Sequence, residues 1–227
     1  TQARTDYSTA KMLFLESKEA YERGNYNNVG PKLEKSRELI IKSITRAHAL
    51  LEDYFSSFPK WKRWANETIE WTRDNSSTAI LVDKFARKCY VYRSGGLLRT
   101  FDVELGPNWI GNKKHKGDKA TPEGKYHITK KKSHRDTKYH KALLINYPND
   151  EDKARYAEAV RKGTISRRTG IGNLIEIHGD GGKGADWTSG CVALTNSDMD
   201  KLYELVSVGT PVTIVGSLKT LQDVNGF

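Results

Sequence analysis

Ile175-Glu176-Ile177-His178-Gly179-Asp180, followed after a glycine-rich stretch by Thr188-Ser189-Gly190-Cys191-Val192-Ala193-Leu194, is the part of this chain on which its reading turns. A histidine ends a run of strand character, and a cysteine follows thirteen positions later. A thiol with an ordinary pKa of about 8.5 is mostly protonated at neutral pH. An adjacent histidine takes that proton and leaves a nucleophilic thiolate. Glycine before the cysteine lets the backbone turn tightly and aim amide N–H groups at one spot, which is what a tetrahedral oxyanion needs. The parts for acyl transfer through a thioester are all present. A lone histidine and a lone cysteine also fit structural roles, and the glycines beside both weigh toward chemistry. Cys89, in Arg87-Lys88-Cys89-Tyr90-Val91-Tyr92, is the contrast: it alternates within a strand and reads as a buried core thiol.

Outward from this segment the pattern is mostly β. Thr78–Asp83, Lys88–Tyr92, Leu97–Leu105, Gly124–Thr129, Ala142–Tyr147, Leu174–His178 and Pro211–Val215 are short and rich in β-branched and aromatic residues. Two helices interrupt them, over Asp150–Lys162 and Ser197–Val206, the second capped by Asn196 or Ser197. The predicted class is α+β in two domains, with a sandwich or a strongly curved mixed sheet in the second.

Residues 1–75 read as a helical accessory domain. Ala3, Tyr7, Ala10, Phe14 and Tyr21 recur at helical spacing, and Gly24-Asn25 break the pattern. Leu33, Ile40, Ile44, Ala47, Leu51, Tyr54 and Phe58 make a heptad-like seam after Pro31. Pro59 opens a third helix with Trp61, Trp64 or Ala65, Thr68 and Trp71 on one face. The expectation is a three-helix antiparallel bundle that stops at residue 75.

Composition narrows the function. The 227 residues carry a formal charge of +10, and 37% are hydrophobic. No apolar run reaches the ~18–20 residues of a membrane helix, so the residues given do not read as an integral membrane protein. Two cysteines are too few for a disulfide scaffold or a four-cysteine zinc site. Residues 112–141 hold eleven Lys/Arg against three acids, a local charge of +8. No nucleic-acid-binding signature accompanies this basic stretch, so nucleic acid is not the expected partner. A solvated face or attraction to an anionic substrate or surface explains it. His115, His127, His134 and His140 lack the spacing of metal ligands, so no metal or other cofactor is expected.

His178-Gly179 followed by Ser189-Gly190-Cys191 resembles the signature of the L,D-transpeptidase catalytic domain family, the YkuD domain. Further stretches match in order: Lys116-Gly117-Asp118, Thr121-Pro122-Glu123-Gly124-Lys125-Tyr126, Asn146-Tyr147-Pro148-Asn149, Asp186-Trp187-Thr188 and Gly209-Thr210-Pro211-Val212. The resemblance covers residues 78–216 as the catalytic domain and leaves 217–227 as a C-terminal tail. Histidine before cysteine sets the chain apart from papain-like and NlpC/P60-like peptidases, where the order is reversed. Ala193 stands where many members of the family carry arginine after the nucleophile, and the loop between His178 and Cys191 is short for the family.

The resemblance implies a domain exported to the periplasm or cell envelope that acts on peptidoglycan stem peptides. The thiolate of Cys191 attacks the carbonyl at the L-centre of the third-position diamino acid, and terminal D-Ala leaves. An amine then takes the acyl group. It implies His178 as general base, the Gly179 carbonyl as the group that orients its ring, and the N–H groups of Gly190 and Cys191 as oxyanion hole. It places Tyr147, Ser189 and Trp187 along the substrate cleft, and it implies acylation of Cys191 by carbapenems. The helical domain is expected to set location or to bind a cell-envelope protein. Two other readings share these residues: a hydrolase with water as acceptor, and a catalytically silent wall-binding module.

Overall fold

The computed structural model describes residues 2–225. They form two compact units, one ending at Ser56 and one beginning at Ser57.

The first unit is an antiparallel hairpin of α1 (Gln2–Glu22) and α2 (Val29–Phe55), reversed through Gly24 at φ +73° and a short 3-10 turn, Tyr26–Asn28. Its contact seam is small and polar. Ala10, Ser17, Ser36 and Ser43 are buried, whereas Tyr7, Phe14, Tyr21, Leu33 and Ile44 stand exposed. The predicted apolar positions are thus only partly used: Ala10 and Tyr54 are buried and Ile40, Ala47 and Leu51 half-buried, while the rest of the contact is made by serines. The physical reason is close approach. Small side chains let helix backbones come near, so Ser36 Oγ donates to Ala10 O at 2.8 Å and Ser43 Oγ to Ala3 O at 2.8 Å. Arg46 pairs with buried Asp6, and Lys32 with Glu16 at 2.6 Å.

The third helix, α3 (Phe58–Asp74), belongs to the second unit, so the boundary between compact units falls at 56/57 and not at 75. Its buried face is Trp61, Trp64, Ala65, Thr68 and Thr72; Trp71, expected on that face, is exposed. Thr68 and Thr213 hydroxyls meet at 2.7 Å, and the Trp61 ring covers Gly216, where a Cβ would lie 2.3 Å from the indole. Burying each large apolar side chain contributes about 1.5–3 kcal/mol, which ties α3 to the sheet.

That sheet has eight strands: β1 (Thr78–Asp83), β2 (Lys88–Arg93), β3 (Gly96–Asp102), β4 (Gly124–Ser133), β5 (Lys141–Ile145), β6 (Glu176–His178), β7 (Val192–Ala193) and β8 (Pro211–Val215). Their order is β3-β2-β1-β8-β4-β5-β6-β7. The β1/β8 and β6/β7 pairs are parallel and the other pairs are antiparallel. The sheet curls until its ends meet. Glu104, just past β3, exchanges both backbone hydrogen bonds with Ala193 of β7, at 2.9 and 2.8 Å. This bridge removes an open edge and holds the strand after Cys191 in place. Ile80, Val91, Leu143, Ile177, Val192 and Ile214 lie in the core inside the curl.

Two further helices brace the sheet. α4 (Asp150–Arg161) opens with a reciprocal capping box: Asp152 N–H donates to Asn149 Oδ1 and Asn149 N–H to the Asp152 carboxylate. α5 (Asn196–Leu205) is capped by Thr195, one or two residues before the predicted cap. Asn196 is released from capping and instead accepts the Asp180 N–H at 2.6 Å. Within the stretch expected to be a tail, Leu218 N–H binds Asp83 and a short α6 (Leu221–Asn225) follows; residues 226–227 lie outside the described residues. Among the described residues no helix is long and apolar enough to cross a membrane, and no group of three or more His, Cys, Asp or Glu is gathered as a metal site.

Candidate active site

His178 and Cys191 are brought together by the parallel pairing of β6 and β7, in which Ile177 faces Val192 and His178 faces Ala193. Continued by one step, that register sets Cys191 beside Glu176, within two residues of the histidine. His178 is fully buried and Cys191 is 9% exposed. The imidazole is clamped on three sides. Tyr139 stacks on it face to face, with ring centroids 3.6 Å apart and planes 8° apart, and Trp187 meets it edge-on at 6.0 Å. Nδ1 lies 2.6 Å from the Gly179 carbonyl. A carbonyl only accepts, so Nδ1 carries the proton and Nε2 presents its lone pair. Nε2 is buried with no hydrogen-bond partner. A buried polar atom without a partner is costly, and at an active site it marks a group kept ready for a reaction partner.

The thiol does not bond Nε2 in this structure; Sγ points to Leu174 O at 3.7 Å. Burial pushes the Cys191 thiol up to about 11, and burial also lowers His178 from its ordinary 6.5. The resting pair is thus a neutral thiol and a neutral imidazole. Cys89 is fully buried in β2, where burial pushes its thiol up to about 12; both cysteines are free.

The turn into Cys191 is stapled by Thr188. Its hydroxyl donates to Cys191 O at 2.7 Å and accepts from the Gly190 N–H at 3.2 Å. Gly190 adopts φ +123°, and a Cβ there would sit 2.6 Å from Ala120 O, so this position excludes any side chain. Gly179 is held by crowding instead: a Cβ would lie 2.6 Å from Asn196 Oδ1.

The glycine-rich loop before the cysteine is anchored as well. Glu104 accepts from Gly184 N–H at 2.6 Å and Trp187 Nε1 at 2.7 Å, and Asp186 accepts from Leu105 N–H at 2.9 Å and pairs with Arg87 at 2.7 Å. Lys84 is fully buried. It donates to Gly111 O, Thr121 O and the Glu123 carboxylate at 2.7–3.0 Å, and Glu123 also accepts from Trp61 Nε1 at 3.1 Å. α3 is thereby wired to the Thr121-Pro122-Glu123 loop that lies against Gly190.

The thiol opens into a cleft of about 370 Å³, lined by Lys138, Tyr139, Leu174, Glu176, Trp187, Thr188, Ser189 and Cys191. Two of the three expected cleft residues, Ser189 and Trp187, are there. Tyr147 is not. It lines a separate cavity of about 470 Å³ with Lys113, Asp152 and Arg155, and its hydroxyl donates to Ile171 O at 3.2 Å. Sequence reasoning missed Tyr139, Lys138 and Leu174. Tyr139 lies in the loop after β4, where no periodicity points it toward the histidine, and Leu174 leaves the predicted strand at φ +56°.

The curled sheet thus sets a cysteine and a histidine together near its closing edge, with a cleft above the thiol. The sequence model of the L,D-transpeptidase catalytic domain, YkuD, matches residues 77–214, and the chain belongs to that family. Among curated proteins, "Putative L,D-transpeptidase YafK" of Escherichia coli (strain K12) is 31% identical over 111 residues, 49% of this chain and 38% of that protein. Among solved structures, Bdellovibrio bacteriovorus Bd1075 is similar at 25% identity and a TM-score of 0.47, over 66% of this chain and 51% of that one. The helical cell shape determining protein Pgp2 of Campylobacter jejuni is similar at 25% identity and a TM-score of 0.48, over 63% and 49%. The chain thus spans about half the length of these solved structures, and less of the curated relative.

Proposed function

We propose that this protein is an L,D-transpeptidase of the cell envelope that acts on peptidoglycan stem peptides through a thioester on Cys191. The observation that carries the reading is the unpartnered Nε2 of His178, beside the one thiol that reaches a cleft.

The chemistry follows from that atom. A rotation of the Cys191 side chain brings Sγ to Nε2, a contact that often tightens only with substrate bound. Nε2 takes the thiol proton as Sγ bonds to the carbonyl carbon at the L-centre of the third-position diamino acid. The resulting oxyanion takes hydrogen bonds from the backbone N–H groups of Cys191 and Gly190. The Gly190 N–H is held by Thr188 at 3.2 Å in the resting turn and is recruited by giving up that long bond. Collapse breaks the C–N bond, and the imidazolium, oriented by the Gly179 carbonyl, protonates the departing D-Ala amine. The acceptor amine then loses a proton to His178 as it attacks the thioester, and the thiol re-forms. No cofactor enters these steps. Ser189 and Trp187 border the bound peptide, and the same thiol is the expected target of carbapenems. The α1–α2 hairpin fits a role in location or in binding an envelope protein.

Incubation with a tetrapeptide muropeptide, with and without a second diamino-acid stem or a free D-amino acid, tests this reading by mass analysis of products. Transpeptidation gives a cross-linked or exchanged product. Loss of D-Ala with no adduct in the presence of acceptor assigns the hydrolase reading instead.

A further inference from the structure

The cleft above Cys191 presents one cation that the protein itself does not neutralise. Four lysines bear on this site, and one of them, Lys183, lies 3.3 Å over the Trp187 ring but does not line the cleft. Lys132 is paired with Glu176 at 2.6 Å, and Lys113 with Asp118 at 2.7 Å. Lys138 is exposed, lines the cleft together with Cys191, and forms no ion pair with a carboxylate among the described residues. It is held by Tyr139: its Nζ hydrogen-bonds the Tyr139 hydroxyl and lies 5.0 Å from the ring centroid, and Tyr139 stacks on His178 at 3.6 Å. A cation so held keeps its charge while its position is restricted. The only carboxylate lining the cleft, Glu176, is already engaged by Lys132, so the local field at the mouth is positive. Both His178 and Cys191 feel the charge of Lys138. Ala193 contributes no charge beside Cys191, and its backbone pairs with Glu104.

We infer that Lys138 is the specificity-determining cation of this cleft, recognising a carboxylate of the acyl donor as the donor carbonyl settles over Cys191. The inference rests on the transpeptidase reading and extends it. A stem-peptide donor offers that carboxylate from two sources close to the scissile bond: the C-terminus of the departing D-amino acid and the side-chain carboxylate of the third-position diamino acid. Tyr139 fixes where the ammonium sits, so a donor is selected by charge at the step that forms the thioester. A charge-assisted hydrogen bond in a half-closed cleft is among the stronger polar contacts.

The test uses the full chain and three tetrapeptide donors: the free acid, the form amidated at the terminal carboxylate, and the form amidated at the diamino-acid side chain. The rate of Cys191 acylation is read by intact mass for the wild type, Lys138→Met and Lys138→Arg. The expected result is a loss of about tenfold or more for Lys138→Met on the free acid, which is about 1.4 kcal/mol. Arginine should restore most of it. The loss should vanish on one amidated donor, and that donor identifies which carboxylate is read. An equal loss on all three donors overturns the inference, because Lys138 then acts through the thiol or the His178–Tyr139 stack. No loss on the free acid overturns it too. A wild-type protein acylated by none of the three donors overturns the transpeptidase reading itself, and with it this inference; that outcome is read before any variant is compared.

Discussion

His178 Nδ1 lies 2.6 Å from the carbonyl oxygen of Gly179, and this one contact decides what the far edge of the ring can do. With the proton fixed on Nδ1, Nε2 is an acceptor in a buried site that offers it nothing to accept. Burial disfavours the imidazolium as well, so the histidine rests as a neutral base.

A neutral resting pair predicts a particular pH profile. With the Cys191 thiol pushed up to about 11, alkylation by iodoacetamide in the free protein should keep rising through pH 9 and 10. A preformed thiolate–imidazolium pair would instead reach a plateau at or below neutrality. Rates of mass increase on Cys191 between pH 5 and 10 distinguish the two.

The same burial makes stability depend on pH. The folded-state pKa of His178 is depressed below the ordinary 6.5, so between the two values the unfolded chain binds more protons than the folded one. The stabilisation that comes from keeping this ring neutral is present above pH 6.5 and is lost as pH falls below it. Thermal melts from pH 7.5 to 5 should show a falling Tm, and His178→Gln should flatten part of that fall.

Gly190 should tolerate no side chain. Gly190→Ala places a Cβ 2.6 Å from Ala120 O at φ +123°, a conformation that costs a non-glycine residue about 1–3 kcal/mol. The expected outcome is a lower melting temperature together with loss of Cys191 acylation. Gly184→Ala is the control for positive φ alone, since its Cβ would meet nothing within 4 Å. It should cost stability with less effect on acylation.

The helices should separate in a truncation series. A chain starting at Ser57 keeps α3, with Trp61 covering Gly216 and bonded to Glu123, and should fold cooperatively and retain acylation by small donors. A chain starting at Thr78 loses that cover and exposes the Lys84–Glu123 pair from one side. Removing a buried Trp side chain alone costs about 3–5 kcal/mol, so this shorter chain should melt far lower or fail to fold. Circular dichroism melts of both check it.

Much of this was legible in the sequence because the relevant signals are local. The short apolar run in Thr78–Asp83 and the β-branched run Pro211–Val215 mark strands at the places where β1 and β8 lie. The order of His178, Gly190 and Cys191 points to the chemistry before any contact is seen. What was hidden is set by long-range packing. In α2 Leu33 and Ile44 look like part of a seam yet stand exposed, while Ser36 and Ser43 reach facing carbonyls, a contact that needs close backbones and that hydrophobic periodicity does not mark. α3 looks like a continuation of the helical domain until Trp61 is seen against Gly216. Tyr139 sits in a polar, basic loop, and only the curl of the sheet lays its ring on His178. Tyr147 lines a different cavity from Cys191, and adjacency to a motif does not say which cavity a side chain enters.

The central claim is that Cys191 is the nucleophile of an acyl-enzyme. The measurement is intact mass after brief exposure to a tetrapeptide donor, made on the wild type, Cys191→Ala and Cys89→Ala. The account predicts a gain equal to the donor minus its terminal D-Ala on the wild type and on Cys89→Ala, and no gain on Cys191→Ala. An adduct that survives in Cys191→Ala, or a wild-type protein whose Cys191 reacts with iodoacetamide yet takes no acyl group from any donor, would contradict it.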